Sequence, residues 1–413
     1  MTRNSFEAPL HHVVDQYGDF EKKGSLVLLT GNTETDREGL EKAISEDNSS
    51  EGLFINFGQD NFRQDLARIR SIQSEMNIDV TEIHIPGIAA SLLDTEQSYD
   101  AGTVINTIHG LAADYALYNG FKAINVLESF ENTSVFSILP QYYFSINQQL
   151  NSLNNEEKIK IFGRYVGLGE NSEDSIEDES NEARNFVVTM LSGGPDSSVL
   201  LSELVRQYYN RAIVEAIFIN FGQPYMAQEL LSARHIANIC RVRLEEISVS
   251  GVSQAFVGKG ESGIGYPIFR NLINGMYGIA TDYARFKQAN SLYHANIQED
   301  VTNLPWMPNF FNALNKTTQS INTGKVKTEV KSDYLDIPKA EVIMRGSELI
   351  GEHVAETFSC LRSNTEGKHC GVCRSCKNRR KAFIAAEVQD TTSYDVEPDV
   401  GEVEKYESPT SYV

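Results

Sequence analysis

The sequence has little positive charge. Of its 413 residues, 36 are lysine or arginine and 57 are aspartate or glutamate, which gives a formal net charge of −21. A chain of this charge repels phosphate backbones, so broad nucleic-acid binding is not expected. The sequence also lacks a run of about 20 apolar residues and an N-terminal cationic stretch followed by an apolar one. We therefore expect a cytoplasmic protein without a membrane span.

Cysteine is scarce as well, with five residues in the chain. Cys240 lies in an apolar helical pattern, and the other four form one cluster near the C-terminus: Cys360, Cys370, Cys373 and Cys376. In a cytosolic chain such a cluster indicates metal binding rather than disulfides. Zinc prefers four thiolates in a tetrahedron, so the cluster predicts a structural Zn²⁺ site. An iron–sulfur cluster or a redox pair uses similar spacing and stays open as an alternative.

The chain contains a long internal repeat. The string F-I-N-F-G-Q occurs at 54–59 and again at 218–223. Each copy is preceded by an apolar strand pattern and followed by a helical pattern and a short apolar run. Farther on, two helical patterns share an A-x-D-Y-A ending, at 106–121 and 274–289. This order, met twice, predicts an α/β fold of two tandem Rossmann-like domains with parallel sheets.

Composition suggests the domain boundaries. Residues 1–164 form the first α/β domain, and 165–184 form an acidic linker with little apolar content. Residues 185–386 form the second domain, which ends in the cysteine cluster. Residues 387–413 are acidic and punctuated by proline, serine and threonine, which predicts a flexible tail.

The most specific local pattern is S-G-G-P-D-S-S at 192–198, between a strand pattern and a helical run. Glycines let backbone amides approach an anion, and the start of a helix adds unpaired N–H groups and partial positive charge. Asp196 suits either a Mg²⁺ ligand or a cap that orients the amides. Glycine, serine and aspartate also occur at helix starts for capping alone. The predicted ATP-binding residues are Ser192, Gly193, Gly194, Asp196, Ser197, Ser198 and, from the second F-I-N-F-G-Q string, Gln223.

The first half has a corresponding segment, T-G-N-T-E-T-D at 30–36. Asn32 replaces the second glycine, and Glu34 and Asp36 place two carboxylates where a triphosphate would lie. Like charges that are partly desolvated repel strongly. The first half is therefore interpreted as a degenerate copy that serves architecture or recognition.

The S-G-G-P-D-S-S string resembles the PP-loop ATP pyrophosphatases, which cleave ATP between the α and β phosphates, and it lacks the Walker A spacing. Several further motifs resemble the 7-cyano-7-deazaguanine synthase family over 185–386. They are, in order, F-I-N-F-G-Q, Phe269-Arg270-Asn271, Gln298-Glu299-Asp300, Pro338-Lys339-Ala340-Glu341 and C-x9-C-G-x-C-x2-C-x2-R-x2-A-F. Ile268-Phe269 replaces a Pro-Gly pair of the family, and Gln298 replaces an acidic residue.

The resemblance implies ATP, Mg²⁺ and Zn²⁺ as cofactors and a deazaguanine carboxylate as the substrate. It assigns catalytic roles to Asp196, Arg270 and Lys339, and substrate contacts to Arg270, Asn271 and Asp300. The duplicated length resembles synthase-like proteins of bacterial antiphage defence operons, some of which join a deazaguanine acid to a partner protein. A free nitrile synthase using ammonia and a non-catalytic nucleotide-binding assembly module remain alternatives. Members of the family form homodimers, so the repeat predicts an internal pseudo-dimer.

Overall fold

The computed structural model describes most of the chain outside its N-terminal segment and several internal stretches. The described residues are 23–31, 33–58, 61–85, 104–128, 139–153, 159–165, 185–223, 225–249, 272–321, 326–362 and 367–407. The predicted linker lies outside them, apart from Tyr165 at its start. Within them, none of the helices combines the length and the apolar character that a bilayer crossing needs.

Most of the described elements alternate between strands and helices, as the repeat predicts. The strands are β1 (Lys23–Leu29), β2 (Glu51–Asn56), β3 (Val80–His84), β4 (Phe121–Glu128), β5 (Lys160–Tyr165), β6 (Asn185–Met190), β7 (Ala212–Asn220), β8 (Arg243–Ser248), β9 (Ser291–Tyr293) and β10 (Glu329–Lys331). The helices are α1 (Thr33–Glu46), α2 (Phe62–Met76), α3 (Ile105–Asn119), α4 (Leu139–Leu153), α5 (Pro195–Gln207), α6 (Met226–Cys240), α7 (Ile273–Phe286), α8 (Gln298–Asn303), α9 (Met307–Ser320), α10 (Lys339–Leu349) and α11 (Arg374–Ala385). A 3₁₀ helix covers Gly351–Val354.

The strands form two five-stranded sheets, ordered β3-β2-β1-β4-β5 and β10-β9-β6-β7-β8. Every pairing is parallel. When β6 is matched to β1 and β7 to β2, the two orders are the same. The α/β class with parallel sheets is thereby confirmed, and strands joined by crossover helices explain why both faces of each sheet are covered.

The core between the sheets is shared by both halves. One apolar cluster runs from β1 and β2 through α3 and α7 to β9. The outer face of each sheet has a cluster of its own, under α1 and α2 in the first half and under α5, α6 and α10 in the second. Burial of a continuous apolar surface therefore holds the two halves together.

Helices α3 and α7 make reciprocal contacts across this shared core. The Asp114 carboxylate accepts from the Gly275 amide at 2.7 Å, and the Asp282 carboxylate accepts from the Thr107 amide at 2.7 Å. Asp114 and Asp282 occupy the same place in the two A-x-D-Y-A helices, one turn from their ends. Burial raises the pKa of Asp114 to about 8 and that of Asp282 to about 6. An interface in which equivalent residues exchange the same contacts has the form of a two-fold dimer interface.

The described part of the C-terminal tail, 387–407, packs against α10 and α11. Thr392 Oγ1 accepts from the Arg379 Nε at 2.8 Å, and the Tyr406 hydroxyl donates to Glu341. Arg379 is fully buried. The prediction of a flexible tail is corrected for these residues, because a buried guanidinium needs hydrogen-bond partners and the tail supplies one of them.

Candidate active site

The S-G-G-P-D-S-S segment at 192–198, the phosphate loop, comprises the turn after β6 and the first residues of α5. Gly193 has φ +80°, a region that favours glycine, and a Cβ there would lie 2.3 Å from the Glu229 carbonyl oxygen of α6. Gly194 is the N-cap of α5, and Pro195 occupies its first turn, where a missing N–H costs nothing. The first glycine therefore permits close packing against α6. At the second, a Cβ would lie in ordinary van der Waals contact with Ser192 Oγ and the Phe358 carbonyl oxygen, at 3.5 and 3.7 Å.

The serines of the loop brace it from within. The Ser198 hydroxyl donates to the Gly194 carbonyl at 2.7 Å, and Ser198 is fully buried. The Ser192 amide donates to Ser197 Oγ at 3.2 Å. The only hydroxyl proton of Ser198 is thus used inside the helix, and the place of Ser198 among the ATP-binding residues remains a prediction.

Two hydrogen bonds from other parts of the chain hold the Gly193 carbonyl in place. It accepts from Ser232 Oγ of α6 at 2.7 Å and from the Phe358 amide at 2.9 Å. Phe358 is two residues before Cys360. The segment that leads into the cysteine cluster, here the cysteine module (residues 358–376), therefore makes a direct backbone contact with the phosphate loop. A distortion of the module is therefore transmitted to the loop.

Gln223 follows β7 at the end of the second F-I-N-F-G-Q string, and both the oxygen and the nitrogen of its side-chain amide are engaged. It accepts from the Phe221 amide at 3.1 Å and donates to Glu229 at 3.0 Å. Burial raises the pKa of Glu229 to about 8, so this carboxyl is protonated at neutral pH. Gln223 thus joins the turn after β7 to α6. Its contact with a nucleotide remains a prediction.

The order of the second sheet brings distant motifs to the phosphate loop. β6 lies between β7 and β9, so the chain turns in opposite directions after β6 and β9 and leaves a crevice between their ends. Lys339 Nζ reaches Asp196 Oδ2 across this crevice at 2.6 Å. Both Glu299 carboxylate oxygens accept from the Lys339 amide, at 3.0 and 3.1 Å, and so cap α10. Glu299 therefore holds the lysine in position.

Two carboxylates lie close together beside this lysine. Burial and the charge of Asp196 raise the pKa of Asp300. Asp300 Oδ2 accepts from the Ile297 amide at 3.1 Å, which caps α8. Among the described residues, the buried Asp196 Oδ1 has no hydrogen-bond partner. An unpaired carboxylate oxygen next to a second carboxylate fits the oxygen ligands that Mg²⁺ prefers.

The corresponding loop of the first half is filled by its own side chain. The Asp36 carboxylate accepts from the Thr30 amide and the Gly31 amide, each at 2.8 Å. Asp36 is fully buried and follows Thr30 by six residues, as Ser198 follows Ser192. Burial raises its pKa to about 6, so the carboxyl is mostly ionised at neutral pH. An internal anion thus occupies the amides that would face a phosphate, which supports the interpretation of a degenerate copy.

Replacing Asp36 with alanine should destabilise the first half without slowing nucleotide turnover. The buried Gly31 amide would lose its acceptor, at a cost of about 1–3 kcal/mol. Thermal unfolding and pyrophosphate release by the folded protein measure the two effects. Glu34→Ala is the matched control, because Glu34 lies exposed in the same first turn of α1. Loss of turnover in Asp36→Ala at unchanged stability would show that the first loop has a nucleotide role.

The four clustered cysteines converge as the spacing predicts. Their Sγ atoms all lie within 4.8 Å of one another, and those of Cys373 and Cys376 are 3.4 Å apart. A tetrahedral ion with bonds of about 2.3 Å to sulfur separates its ligands by about 3.8 Å. The Cys370 amide points at Cys360 Sγ at 3.3 Å, and the Cys373 amide points at Cys370 Sγ at 3.3 Å, which stabilises thiolates. The site fits a single metal ion better than a multi-iron cluster, whose ligands bind at separate irons.

The structure brings together Asp196, Lys339 and Asp300, whereas Arg270 and Asn271 lie outside the described residues. Sequence reasoning missed the roles of Glu299, Ser232 and Asp36. Glu299 lies in a noted motif, and its place beside a second acidic residue in the first turn of α8 was a usable signal. Ser232 has no local signal, because its partner is a carbonyl 39 residues earlier.

Known proteins match the second half of the chain. The family model described as queuosine biosynthesis protein QueC matches residues 186–387. The 7-cyano-7-deazaguanine synthase of Chloroherpeton thalassium is 29% identical over 230 residues, covering 51% of this chain and 97% of that protein. The synthase of Methanococcus maripaludis is 30% identical over 238 residues, covering 51% of this chain and 99% of that protein.

Among solved structures, the U34-tRNA thiolase NcsA from Methanococcus maripaludis with its [4Fe-4S] cluster covers 50% of this chain and 67% of its own. Its TM-score of 0.31 and identity of 17% are too low to bear on the fold or the metal. The second half of this protein aligns with nearly the full length of these sequence relatives. That half contains both the phosphate loop and the four cysteines. This chain belongs to the QueC family, the family of the 7-cyano-7-deazaguanine synthases.

Proposed function

We propose that this protein uses ATP to adenylate the carboxylate of a 7-carboxy-7-deazaguanine-like compound and then joins the acyl group to an amine. The observation that carries the proposal is the 2.6 Å contact between Lys339 Nζ and Asp196 Oδ2. It unites a family motif and the phosphate loop, which are 143 residues apart, at the crevice where α/β proteins bind ligands.

The proposed reaction has two steps. A carboxylate oxygen attacks the α phosphorus of ATP, and the bond to the β-phosphate oxygen breaks, so that pyrophosphate leaves with the electron pair. The amine nitrogen then attacks the acyl carbon, AMP leaves, and the nitrogen loses a proton. Backbone amides of 192–198 bind the departing phosphates, and Lys339 neutralises the charge that develops there. Arg270 is the second candidate for that role.

Asp196 and Asp300 are the residues that would hold Mg²⁺, which would supply positive charge to offset that of the phosphates. Asp300 also has the chemistry to accept from the N–H groups of a guanine-like edge, and Asn271 would contact the same substrate. The cysteine ion is proposed to be Zn²⁺ with a structural role, since four thiolates leave no open position.

The amine is proposed to belong to a partner protein, in the setting of antiphage defence. Support comes from the length of the chain, because the family domain accounts for only 186–387. The alternative product is the free nitrile: ammonia first gives the primary amide, and a second ATP then adenylates the amide oxygen, which leaves with AMP as the nitrogen loses its protons. We further propose that the chain is two tandem PP-loop domains acting as an internal pseudo-dimer, which the reciprocal contacts of Asp114 and Asp282 support.

Pyrophosphate release by the purified full-length protein tests the proposal. We expect release from ATP only when 7-carboxy-7-deazaguanine is added, with guanine as the control compound. Mass spectrometry of a protein encoded beside this one then identifies the acceptor. A mass gain on its N-terminal residue supports conjugation, and free nitrile formed with ammonia supports the alternative. No release under any of these conditions would contradict adenylation and favour an assembly module.

A further inference from the structure

Two histidines and a glutamate form a cluster at the surface, next to the segments that support the phosphate loop. His235 is on α6, His353 is in the 3₁₀ helix, and Glu356 follows that helix. His235 Nε2 and His353 Nδ1 each lie 2.6 Å from the same oxygen, Glu356 Oε2. The three donor atoms lie within 4.8 Å of one another, so two segments of chain 118 to 121 residues apart present their donors to one point.

We propose that His235, His353 and Glu356 form a site for a borderline divalent metal ion such as Zn²⁺ or Co²⁺. Two imidazole nitrogens and one carboxylate oxygen suit these ions and not Mg²⁺ or Ca²⁺, which prefer oxygen alone. The two rings are nearly perpendicular, with centroids 5.3 Å apart and an interplanar angle of 68°. Each ring therefore directs one nitrogen to the shared oxygen without stacking on the other.

The exposure of the three side chains indicates what kind of site this is. His235 is 44% exposed, His353 37% and Glu356 45%. Three protein ligands at the surface leave positions open to water, so the ion exchanges with solvent. The four cysteines, by contrast, are a closed set. The two sites therefore differ in ligand chemistry and are distinguishable by spectroscopy.

The position of the cluster links it to the phosphate loop. His235 is one helical turn after Ser232, and Glu356 is two residues before Phe358. Ser232 and Phe358 are the two donors to the Gly193 carbonyl. An ion bound to the cluster joins α6 to the segment that carries Phe358, and so stabilises both supports of the loop. We expect metal to raise the unfolding temperature of the protein.

The test uses full-length protein whose cysteine site is already loaded with Zn²⁺, to which one equivalent of Co²⁺ is added. X-ray absorption at the cobalt edge should show nitrogen and oxygen neighbours with imidazole scattering and no sulfur. His235→Ala and His353→Ala should each weaken Co²⁺ binding by at least about tenfold. His84→Ala is the matched control, since His84 also contacts a carboxylate, Glu82, at 3.3 Å but has no second histidine in that contact.

The readouts separate the proposed site from displacement at the cysteines. A sulfur shell around cobalt would overturn the proposal, because the ion would then occupy the cysteine site. Undiminished Co²⁺ binding by the His235→Ala/His353→Ala double variant would overturn it as well. Co²⁺ should raise the unfolding temperature of the parent and of His84→Ala, and leave that of the double variant unchanged.

Discussion

Replacing Lys339 with methionine should lower the rate of pyrophosphate release by about 10²–10³-fold in a protein that remains folded. The Lys339 ammonium is the cation in direct contact with Asp196, and its side chain is 11% exposed. Its removal would leave Asp196 and Asp300 without that charge just where the triphosphate has to bind. Methionine keeps most of the apolar stem, and Glu299 still caps α10 through the backbone amide of residue 339.

Lys122→Met is the matched control for this substitution. Lys122 also pairs with an aspartate, Asp47, at 3.3 Å, but it lies in the first half, on β4. Initial rates over a range of ATP concentrations distinguish two origins of the loss. A fall in kcat indicates stabilisation of the developing charge, and a rise in KM alone indicates ground-state binding. If Lys339→Met released pyrophosphate at the parent rate, Lys339 would have no catalytic role.

Replacing Cys376 with serine should remove one equivalent of bound metal and destabilise the second half by more than about 4 kcal/mol. Cys376 is fully buried in an apolar cluster with Phe358 and Cys360. Serine is a poor ligand for a soft site, and the three remaining thiolates would repel one another. Because Phe358 supports the Gly193 carbonyl, the loss should reach the phosphate loop and abolish turnover.

Metal analysis and thermal unfolding measure the first two effects, and pyrophosphate release measures the third. Cys240→Ser is the matched control, because Cys240 is a half-buried cysteine outside the cluster, near Ser202 Oγ at 3.4 Å. It should keep its metal and its activity. Parent levels of metal and stability in Cys376→Ser would contradict a structural ion held by these four residues.

The secondary structure and the local motifs were predictable because their information is local. The apolar strand patterns before the two F-I-N-F-G-Q strings correspond to β1 and β6, and the helical patterns after them correspond to α2 and α6. The cysteines lie close together in sequence, so their spacing alone indicates a shared ligand. The phosphate loop likewise lies within seven residues, between a strand and a helix.

The tail and the first phosphate loop show where composition misleads. Acidic, proline-containing sequence predicts flexibility on average, yet Thr392 and Tyr406 find specific partners in Arg379 and Glu341. In the first loop, the sequence predicts that Asp36 repels a phosphate. In the structure, the Asp36 carboxylate accepts hydrogen bonds from the amides of Thr30 and Gly31 and so occupies donors that a phosphate would need. Neither result follows from charge counts, since both depend on which buried donors need acceptors.

The sequence by itself determined the α/β class, the duplication, the phosphate loop and the cysteine cluster, because each rests on residues that are neighbours in the chain. Only the tertiary structure decided that Lys339 meets Asp196, that Asp114 meets Gly275 and Asp282 meets Thr107 across the two halves, and that His235 meets His353. These pairs are far apart in sequence, and parallel sheets are joined by long crossovers. Their meeting therefore depends on strand order and on the requirement that buried charges and donors be paired, which no local pattern encodes.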